Sequence, residues 1–152
     1  MSFHPFQNLA LCTKMSWKDK QLIPAGAVLD GDTAYLFFDK GERGYENPSC
    51  RFYGIDAPET SGAHSALWRD DPLAGEIAKT AKARVQALIE GKEVFCRSMD
   101  RDKYGRRLDL IWITKEDADS EDPARSLNQL LINEGLAKRY MDTQNILKDK
   151  VA

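Results

Sequence analysis

Residues 25–38, AGAVLDGDTAYLFF, decide how the fold begins. Strand-forming residues lie on both sides of Asp30, Gly31 and Asp32, and an Asp-Gly pair between two such runs is typical of a tight β-hairpin. We therefore predict two antiparallel strands joined at this turn. The turn also places two acidic side chains at one strand end, where ordinary turn chemistry is the alternative to a chemical role.

Three further strands follow along the chain. CRFYGID (50–56) predicts the third strand, after a loop rich in glycine and polar residues, DKGERGYENPS (39–49). KEVFCRSM (92–99) and RRLDLIWIT (106–114) predict two more, separated by the turn MDRDKYG. LAKRY (136–140) predicts a short extended piece.

Two helices are marked by their ends. Asp71 is the predicted cap of the first helix, Pro72 suits its first turn, and Gly91 is its predicted end. The second helix repeats the same signals from Asp122 to Gly135. Apolar residues recur at helical spacing within both segments.

The order is three strands, a helix, two strands and a helix. The acidic run EDADSED (116–122) predicts a solvated loop, and the C-terminus adds at most a short helix. Strands that are interrupted by a helix only once disfavour a parallel doubly wound sheet. The count fits an α+β protein that is mainly β, a five-stranded Greek-key barrel of the OB-fold type with two main helices packed outside. We expect one domain over residues 21–152 after an irregular arm over residues 1–20.

Composition limits the classes of function. The chain has 152 residues with 42% apolar and 30% charged residues, which fits a soluble globular protein, and no run is long enough to span a membrane. The net charge is −2, so any polyanion must be recognised by a local patch. No secretory signal is legible, which predicts a cytoplasmic protein, with a mature secreted form as the alternative.

Cysteine and histidine placement argues against zinc. Cys12, Cys50 and Cys96 form no C-x-x-C pair, and buried free thiols are expected, with a Cys50–Cys96 bridge as the alternative. His4 and His64 have no partners at metal-ligand spacing.

Carboxylates at two strand ends suggest a site for a hard cation. Asp32 follows the first turn and Asp56 ends the third strand, and in a small barrel both ends can share one rim. Two like charges at close range are unfavourable without a compensating cation, and calcium or magnesium prefers oxygen ligands. The Ala57 carbonyl and the Glu59 carboxylate flank the rigid Pro58 on the same turn, where Glu59 would suit a general base or a group that positions water.

Arginines supply the complementary charge. Arg51 and Arg106 carry planar guanidinium groups suited to bidentate contact with phosphate oxygens. Fixed cations aimed at the oxygens of a phosphodiester under attack lower the barrier to its hydrolysis. The alternative for each arginine is a solvated surface position.

Four ordered segments together resemble the staphylococcal nuclease (thermonuclease) family. They are DGDT (30–33), RFYGIDAPE (51–59), DKYGR (102–106) and LNQLLINEGLAK (127–138). Their order, internal spacing and flanking secondary structure agree with that family over roughly residues 24 to 140, and the ordered set is more specific than any single motif.

The resemblance implies an OB-fold barrel with a Ca²⁺-dependent phosphodiesterase site. Asp32 and Asp56 would bind the metal through their carboxylates, and Ala57 would add its backbone carbonyl. Arg51 would stabilise the transition state, and Glu59 would serve the attacking water. The remaining contacts to substrate would come from Arg106 at the phosphate and leaving oxygen, Lys103 and Tyr104 at a terminal phosphate, and Tyr140 stacked on a base.

The expected activity is endonucleolytic cleavage of DNA and RNA to 3′-phosphate products by a monomer. The rival interpretation is a non-catalytic OB-fold module that binds nucleic acid or a protein partner, and a third is a component or inhibitor of a larger assembly. Retention of Asp32, Asp56 and Glu59 favours the enzyme.

Three departures from the family pattern qualify this expectation. Ala57 stands where secreted members often have Thr. SGAHSALWRDD (61–71) takes the place of a lysine-bearing loop, which should weaken attraction to polynucleotides. The chain also ends soon after Tyr140, with too few residues for a full third helix of the family type.

Overall fold

The computed structural model describes residues 27–150 with the exception of 37, 40–44, 47 and 91, so the arm over residues 1–20 lies outside it. The strands are β1 (Val28–Asp30), β2 (Thr33–Tyr35), β3 (Phe38–Asp39), β4 (Tyr45–Glu46), β5 (Ser49–Phe52), β6 (Ile55–Asp56), β7 (Phe95–Arg101), β8 (Arg107–Trp112) and β9 (Lys138–Arg139). The helices are α1 (Ala74–Ile89), α2 (Lys115–Ser120) and α3 (Leu127–Asn133), with a 3₁₀ turn at Pro123–Arg125.

Five strands form one mixed sheet in the order β1, β2, β5, β8, β7. Neighbouring strands are antiparallel except β5 and β8, which are parallel. Two small ribbons, β3 with β4 and β6 with β9, complete the strand pairing of the described residues. The protein therefore has the expected α+β class, and the predicted Asp-Gly turn joins β1 to β2.

The predicted third strand is broken in two. Residues 53–54 form a turn in which Gly54 has a φ of +73°, a conformation that favours glycine. After this turn, β6 leaves the main sheet and pairs with β9, so that Asp56 lies opposite Lys138. The prediction of one continuous strand over residues 50–56 was wrong because Gly54 redirects the chain.

Helix α1 begins later than predicted. It starts at Ala74 and has Leu73 at its cap position, without a side-chain cap. Asp71 lies two residues before this cap position, and its Oδ1 accepts a hydrogen bond from the Leu73 amide at 2.8 Å. The helix buries one face, formed by Ala74, Ala78, Ala81, Val85 and Ile89.

Most of the acidic run is helical, because α2 includes residues 116–120, and this contradicts the predicted loop over residues 116–122. The Thr114 hydroxyl accepts a hydrogen bond from the Asp117 amide at 3.1 Å and caps α2, whose Ala118 is buried. Acidic residues in a first helical turn are favoured by the helix dipole. A high density of charge therefore did not prevent a short helix with one buried position.

The cap of the last helix also differs from the prediction. Asp122 caps the 3₁₀ turn, where its carboxylate accepts a hydrogen bond from the Ala124 amide at 2.9 Å. Helix α3 is capped instead by Ser126, whose hydroxyl accepts from the Gln129 amide at 3.1 Å.

Close packing of α1 against the first hairpin fixes the position of the candidate site. A Cβ added to Gly31 would lie 2.5 Å from the Ala81 Cβ, so only a glycine permits this approach. The turn that carries Asp30 and Asp32 is thus pressed directly onto the helix.

The C-terminal segment contains no helix within its described residues, 140–150. Asp142 holds this segment instead, because its carboxylate accepts hydrogen bonds from the Tyr53 hydroxyl at 2.9 Å and from the Leu147 amide at 2.8 Å. Cys50 and Cys96 are buried thiols that form no disulfide, as expected. No helix in the described part of the chain has the length and apolar character that crossing a membrane requires.

Candidate functional site

Two buried aspartates share one arginine at the end of the first hairpin. Arg51 Nη2 lies 2.8 Å from Asp56 Oδ1 and 3.6 Å from Asp32 Oδ2. Each aspartate is only 3% exposed. The structure thus brings together the two carboxylates that the sequence placed at separate strand ends, with Arg51 between them.

Backbone contacts set the position of Asp32. Its Oδ2 accepts a hydrogen bond from the Ala57 amide at 2.8 Å, and its Oδ1 accepts one from the Thr33 hydroxyl at 2.9 Å. The Asp32 carbonyl accepts from the Phe52 amide at 2.7 Å. Ala57, the candidate backbone ligand, is therefore held directly against the Asp32 carboxylate.

Asp30 and Glu59 complete a cluster that we call the acidic rim, defined as Asp30, Asp32, Asp56 and Glu59. Burial raises the pKa of Glu59 to about 7, and the charges of Asp30 and Asp32 add to the rise. Burial also raises the pKa of Asp32, with Asp56 adding to the effect and Arg51 opposing it. Negative charge is concentrated here beyond what Arg51 offsets.

A second group of predicted residues lies on the turn between β7 and β8. Arg106 Nε donates to Asp102 Oδ2 at 2.7 Å, and the Tyr104 ring lies beside Lys103 Nζ, 5.2 Å from it to the centroid. Hydrogen bonds from Arg106 and from the Tyr104 amide outweigh burial and lower the pKa of Asp102. Among the described residues, the ion pair of Arg106 is with Asp102, not with the acidic rim.

A cavity of about 360 Å³ lies between Arg51 and the β7–β8 turn, and none of the four acidic-rim residues lines it. Its lining includes Arg51 from β5, Lys103 and Tyr104 from the β7–β8 turn, and Tyr140. Arg51 Cζ lies 5.9 Å from the centroid of the Tyr140 ring. Cations and aromatic rings therefore meet in one cleft beside the acidic rim, which suits a polyanion with flat bases.

The chemistry of the acidic rim fits a hard divalent cation. Asp32 and Asp56 present carboxylate oxygens, and burial, with a smaller contribution from neighbouring carboxylates, raises the pKa values of Asp32 and Glu59. Among the described residues, no three His, Cys, Asp or Glu side chains are arranged so that they could hold a metal ion by themselves. A cation would therefore need Ala57 carbonyl oxygen and water in addition to the two aspartates.

A family model for staphylococcal nuclease homologues matches residues 49–151, about two-thirds of the chain. The chain belongs to the staphylococcal nuclease family. The matched segment contains Arg51, Asp56, Glu59 and Arg106, while Asp32 lies before it. Family membership indicates a nuclease-type or nucleic-acid-binding domain.

Two curated proteins are similar to this family member. Thermonuclease of Staphylococcus hyicus is 26% identical over 134 residues, which cover 88% of this chain and 66% of that protein. Protein ParB of Escherichia coli is 29% identical over 113 residues, which cover 74% of this chain and 54% of that protein. The chain thus spans between about half and two-thirds of the length of these relatives.

Three residues at the site were not among the predicted ones. Asp30 faces Glu59, and its Oδ1 accepts a hydrogen bond from the Thr60 hydroxyl at 2.7 Å. The doubled aspartate of the DGD turn was the available signal for it. Ser65 and Trp68 contact Asp56 from a loop with no regular pattern, so no sequence signal marked them.

Proposed function

We propose that the protein is a calcium-dependent endonuclease that hydrolyses phosphodiester bonds of DNA and RNA and leaves 3′-phosphate ends. The observation that carries this proposal is the contact of Arg51 with two buried aspartates beside Glu59, at the edge of a cleft lined by cations and tyrosines. We also propose that the mixed sheet closes into the OB-fold barrel typical of the family.

Asp32, Asp56 and the Ala57 carbonyl would hold the calcium ion. When bound, calcium would neutralise charge on the phosphate and orient the nucleophile. Arg51 would contact the same phosphate, and the position of its guanidinium between the two aspartates and in the cleft lining supports this role. Its fixed positive charge would stabilise the oxygens that gain charge in the transition state.

Glu59 is the candidate proton acceptor. Without calcium its pKa is about 7, and a bound calcium ion would lower that pKa, so the carboxylate would be ionised and able to accept a proton from water at neutral pH. The half-buried position beside Asp30 supports this role, because the same surroundings that raise the pKa also restrict access of bulk water.

Lys103, Tyr104 and Tyr140 would bind the nucleotide along the cleft. Tyr104 is 74% exposed, so its ring is available for stacking or for a phosphate contact. Arg106 would contact the phosphate only after it leaves its ion pair with Asp102 or moves together with it.

A non-catalytic nucleic-acid-binding module is the second candidate. The specific observation in its favour is the Arg106–Asp102 ion pair, which neutralises a predicted catalytic cation. Such a module would use the cleft without hydrolysing the bound strand.

Cleavage assays decide between the two candidates. Purified protein is incubated with single-stranded DNA, duplex DNA and RNA in calcium, in magnesium and in chelator. We expect calcium-dependent cleavage, with Glu59→Gln slower by about 10²–10⁴-fold because the proton acceptor is lost. Glu116→Gln is the matched control, since Glu116 is exposed on α2.

One outcome would contradict the enzyme, and another would contradict only the assigned site. Wild-type protein that binds calcium and nucleic acid without cleavage would support the binding module. If Glu59→Gln and Arg106→Ala cleave as fast as wild-type protein, the assigned site is wrong. Analysis of the product ends would then still identify the bond that is broken.

A further inference from the structure

The 61–71 loop contacts Asp56 at two points. The Ser65 hydroxyl donates a hydrogen bond to Asp56 Oδ2, and Trp68 Nε1 donates to the Asp56 backbone carbonyl at 2.9 Å. Arg51 donates to the other carboxylate oxygen, Oδ1, at 2.8 Å. Both carboxylate oxygens and the carbonyl of this one residue therefore have fixed donors.

The loop is itself held in place. The Trp68 amide donates to the Ser65 carbonyl at 3.0 Å, which ties the two contact residues together. Lys138 Nζ lies 4.2 Å from the centroid of the Trp68 ring and donates to the Leu67 carbonyl at 2.7 Å. Lys138 also lies opposite Asp56 in the β6–β9 ribbon. The same residue therefore contacts the loop and lies on the strand that pairs with β6.

We propose that Ser65 and Trp68 are positioning residues that hold Asp56 in the orientation needed to bind a divalent cation, an inference that rests on the proposed function. A carboxylate oxygen has about two acceptor sites, so the Ser65 hydrogen bond leaves Oδ2 able to bind a cation. Residues that hydrogen-bond to metal ligands orient those ligands, and mutation of such residues commonly weakens metal binding by about 10–100-fold.

This assignment gives the 61–71 loop a role that does not depend on positive charge. The sequence of the loop suggested only a loss of lysines and weaker attraction to polynucleotides. Its hydrogen bonds indicate instead that the loop completes the support of the acidic rim. Trp68 is 2% exposed and packs against the protein, whereas Ser65 is exposed on the loop.

Calcium affinity tests the inference directly. We expect isothermal titration calorimetry to give about 10-fold weaker calcium binding for Ser65→Ala, because Asp56 loses one orienting donor. Ser65→Thr keeps the hydroxyl and should bind close to wild-type strength. Ser61→Ala is the matched control, since Ser61 is an exposed serine of the same loop with no hydrogen bond to Asp56 in the described structure.

Enzyme assays give a second readout of Ser65→Ala. The calcium concentration for half-maximal cleavage should rise in the same ratio as the dissociation constant, while the rate at saturating calcium falls much less. A general disturbance of the fold would lower the rate at every calcium concentration.

Trp68→Phe tests the second contact. This variant removes the Nε1 donor but keeps an aromatic ring beneath Lys138. We expect isothermal titration calorimetry to give weaker calcium binding for this variant than for wild-type protein.

The outcomes separate the inference from the proposed function. Equal calcium affinity of wild-type protein and Ser65→Ala would overturn the positioning role and leave the nuclease proposal intact. Weaker binding that Ser65→Thr fails to restore, with a lowered thermal midpoint, would assign Ser65 a structural role and also overturn it. Wild-type protein that binds no calcium would overturn both.

Discussion

Two buried groups of arginine and aspartate in this protein differ in their charge balance. In the acidic rim, Arg51 contacts both Asp32 and Asp56, and Asp30 and Glu59 add further negative charge. On the main sheet, Arg107 Nη2 lies 3.1 Å from the single carboxylate of Asp109, which is fully buried. The first group borders a cleft, and the second is enclosed.

The difference separates a site prepared for a ligand from a structural ion pair. Burial raises the pKa of Asp109, whereas Arg107 and hydrogen bonds from Cys96 and Cys50 oppose the rise. Arg107 lies within 3.2 Å of Asp109 Oδ1 and 3.1 Å of Asp109 Oδ2, so one arginine faces one carboxylate. The acidic rim retains excess negative charge beside solvent, and this excess costs stability unless a cation binds.

Removal of Arg51 should have the largest effect. We expect Arg51→Ala to slow cleavage by about 10³–10⁵-fold at saturating calcium, because a fixed guanidinium stabilises charge on the phosphoryl oxygens. Single-turnover kinetics measures this loss, and circular dichroism checks the fold. Activity of Arg51→Ala within tenfold of wild type would break the contrast, since Arg51 would then be a structural partner like Arg107.

Removal of Arg107 should act on stability instead. We expect Arg107→Ala to lower the free energy of unfolding by about 3–5 kcal/mol, because a buried carboxylate loses its partner. Urea denaturation with and without calcium measures the effect, and calcium should not reverse it. The double variant Arg107→Met with Asp109→Leu should recover most of the loss, since apolar residues can replace a buried pair. Rescue of Arg107→Ala by calcium would contradict the assignment.

The pH dependence of stability should show the smallest effect. In chelator, the Glu59 carboxyl has a folded pKa of about 7 against an ordinary value of 4.5. Folded protein therefore binds more protons than unfolded protein between these values, so the free energy of unfolding falls as pH rises through this window. Glu59→Gln should reduce this pH-dependent decrease in the free energy of unfolding by less than about 1 kcal/mol, because water screens a half-exposed group.

Thermal midpoints at pH 5 and pH 7.5 test this effect, with Glu116→Gln as the matched control. Calcium should flatten the wild-type curve as well, because the cation favours the ionised carboxyl. An identical pH dependence of wild-type protein and Glu59→Gln in chelator would contradict the contrast. Excess charge would then destabilise the acidic rim no more than the Arg107–Asp109 pair.

Local patterns in the sequence predicted much of the fold. The Asp-Gly turn and the extended piece at Lys138 lie where the sequence placed them, and Arg51 lies on a strand as predicted, although that strand ends at Phe52. These features depend on turn residues and on side-chain periodicity, which act over a few neighbouring residues. The nearness of Asp32 and Asp56 was also predicted, because strand ends in a small sheet meet at one rim.

Short elements were predicted less well. The high density of charged residues led to a loop prediction for the segment that forms α2. The Thr114 cap and one buried alanine support the helix there. Gly54 divided the third strand, although its position within an apolar run suggested continuity. In each case one or two residues decided the local structure, and their effect depends on their surroundings.

Sequence alone determined which acidic and basic residues could form a site, because residue type and order are sufficient to recognise the family segments. Only the tertiary structure decided how those residues are paired: Arg51 with two aspartates, Arg106 with Asp102, and Asp56 with the 61–71 loop. The physical reason is that ion pairs and hydrogen bonds depend on distances of a few ångströms between groups, and the folded path of the whole chain sets those distances.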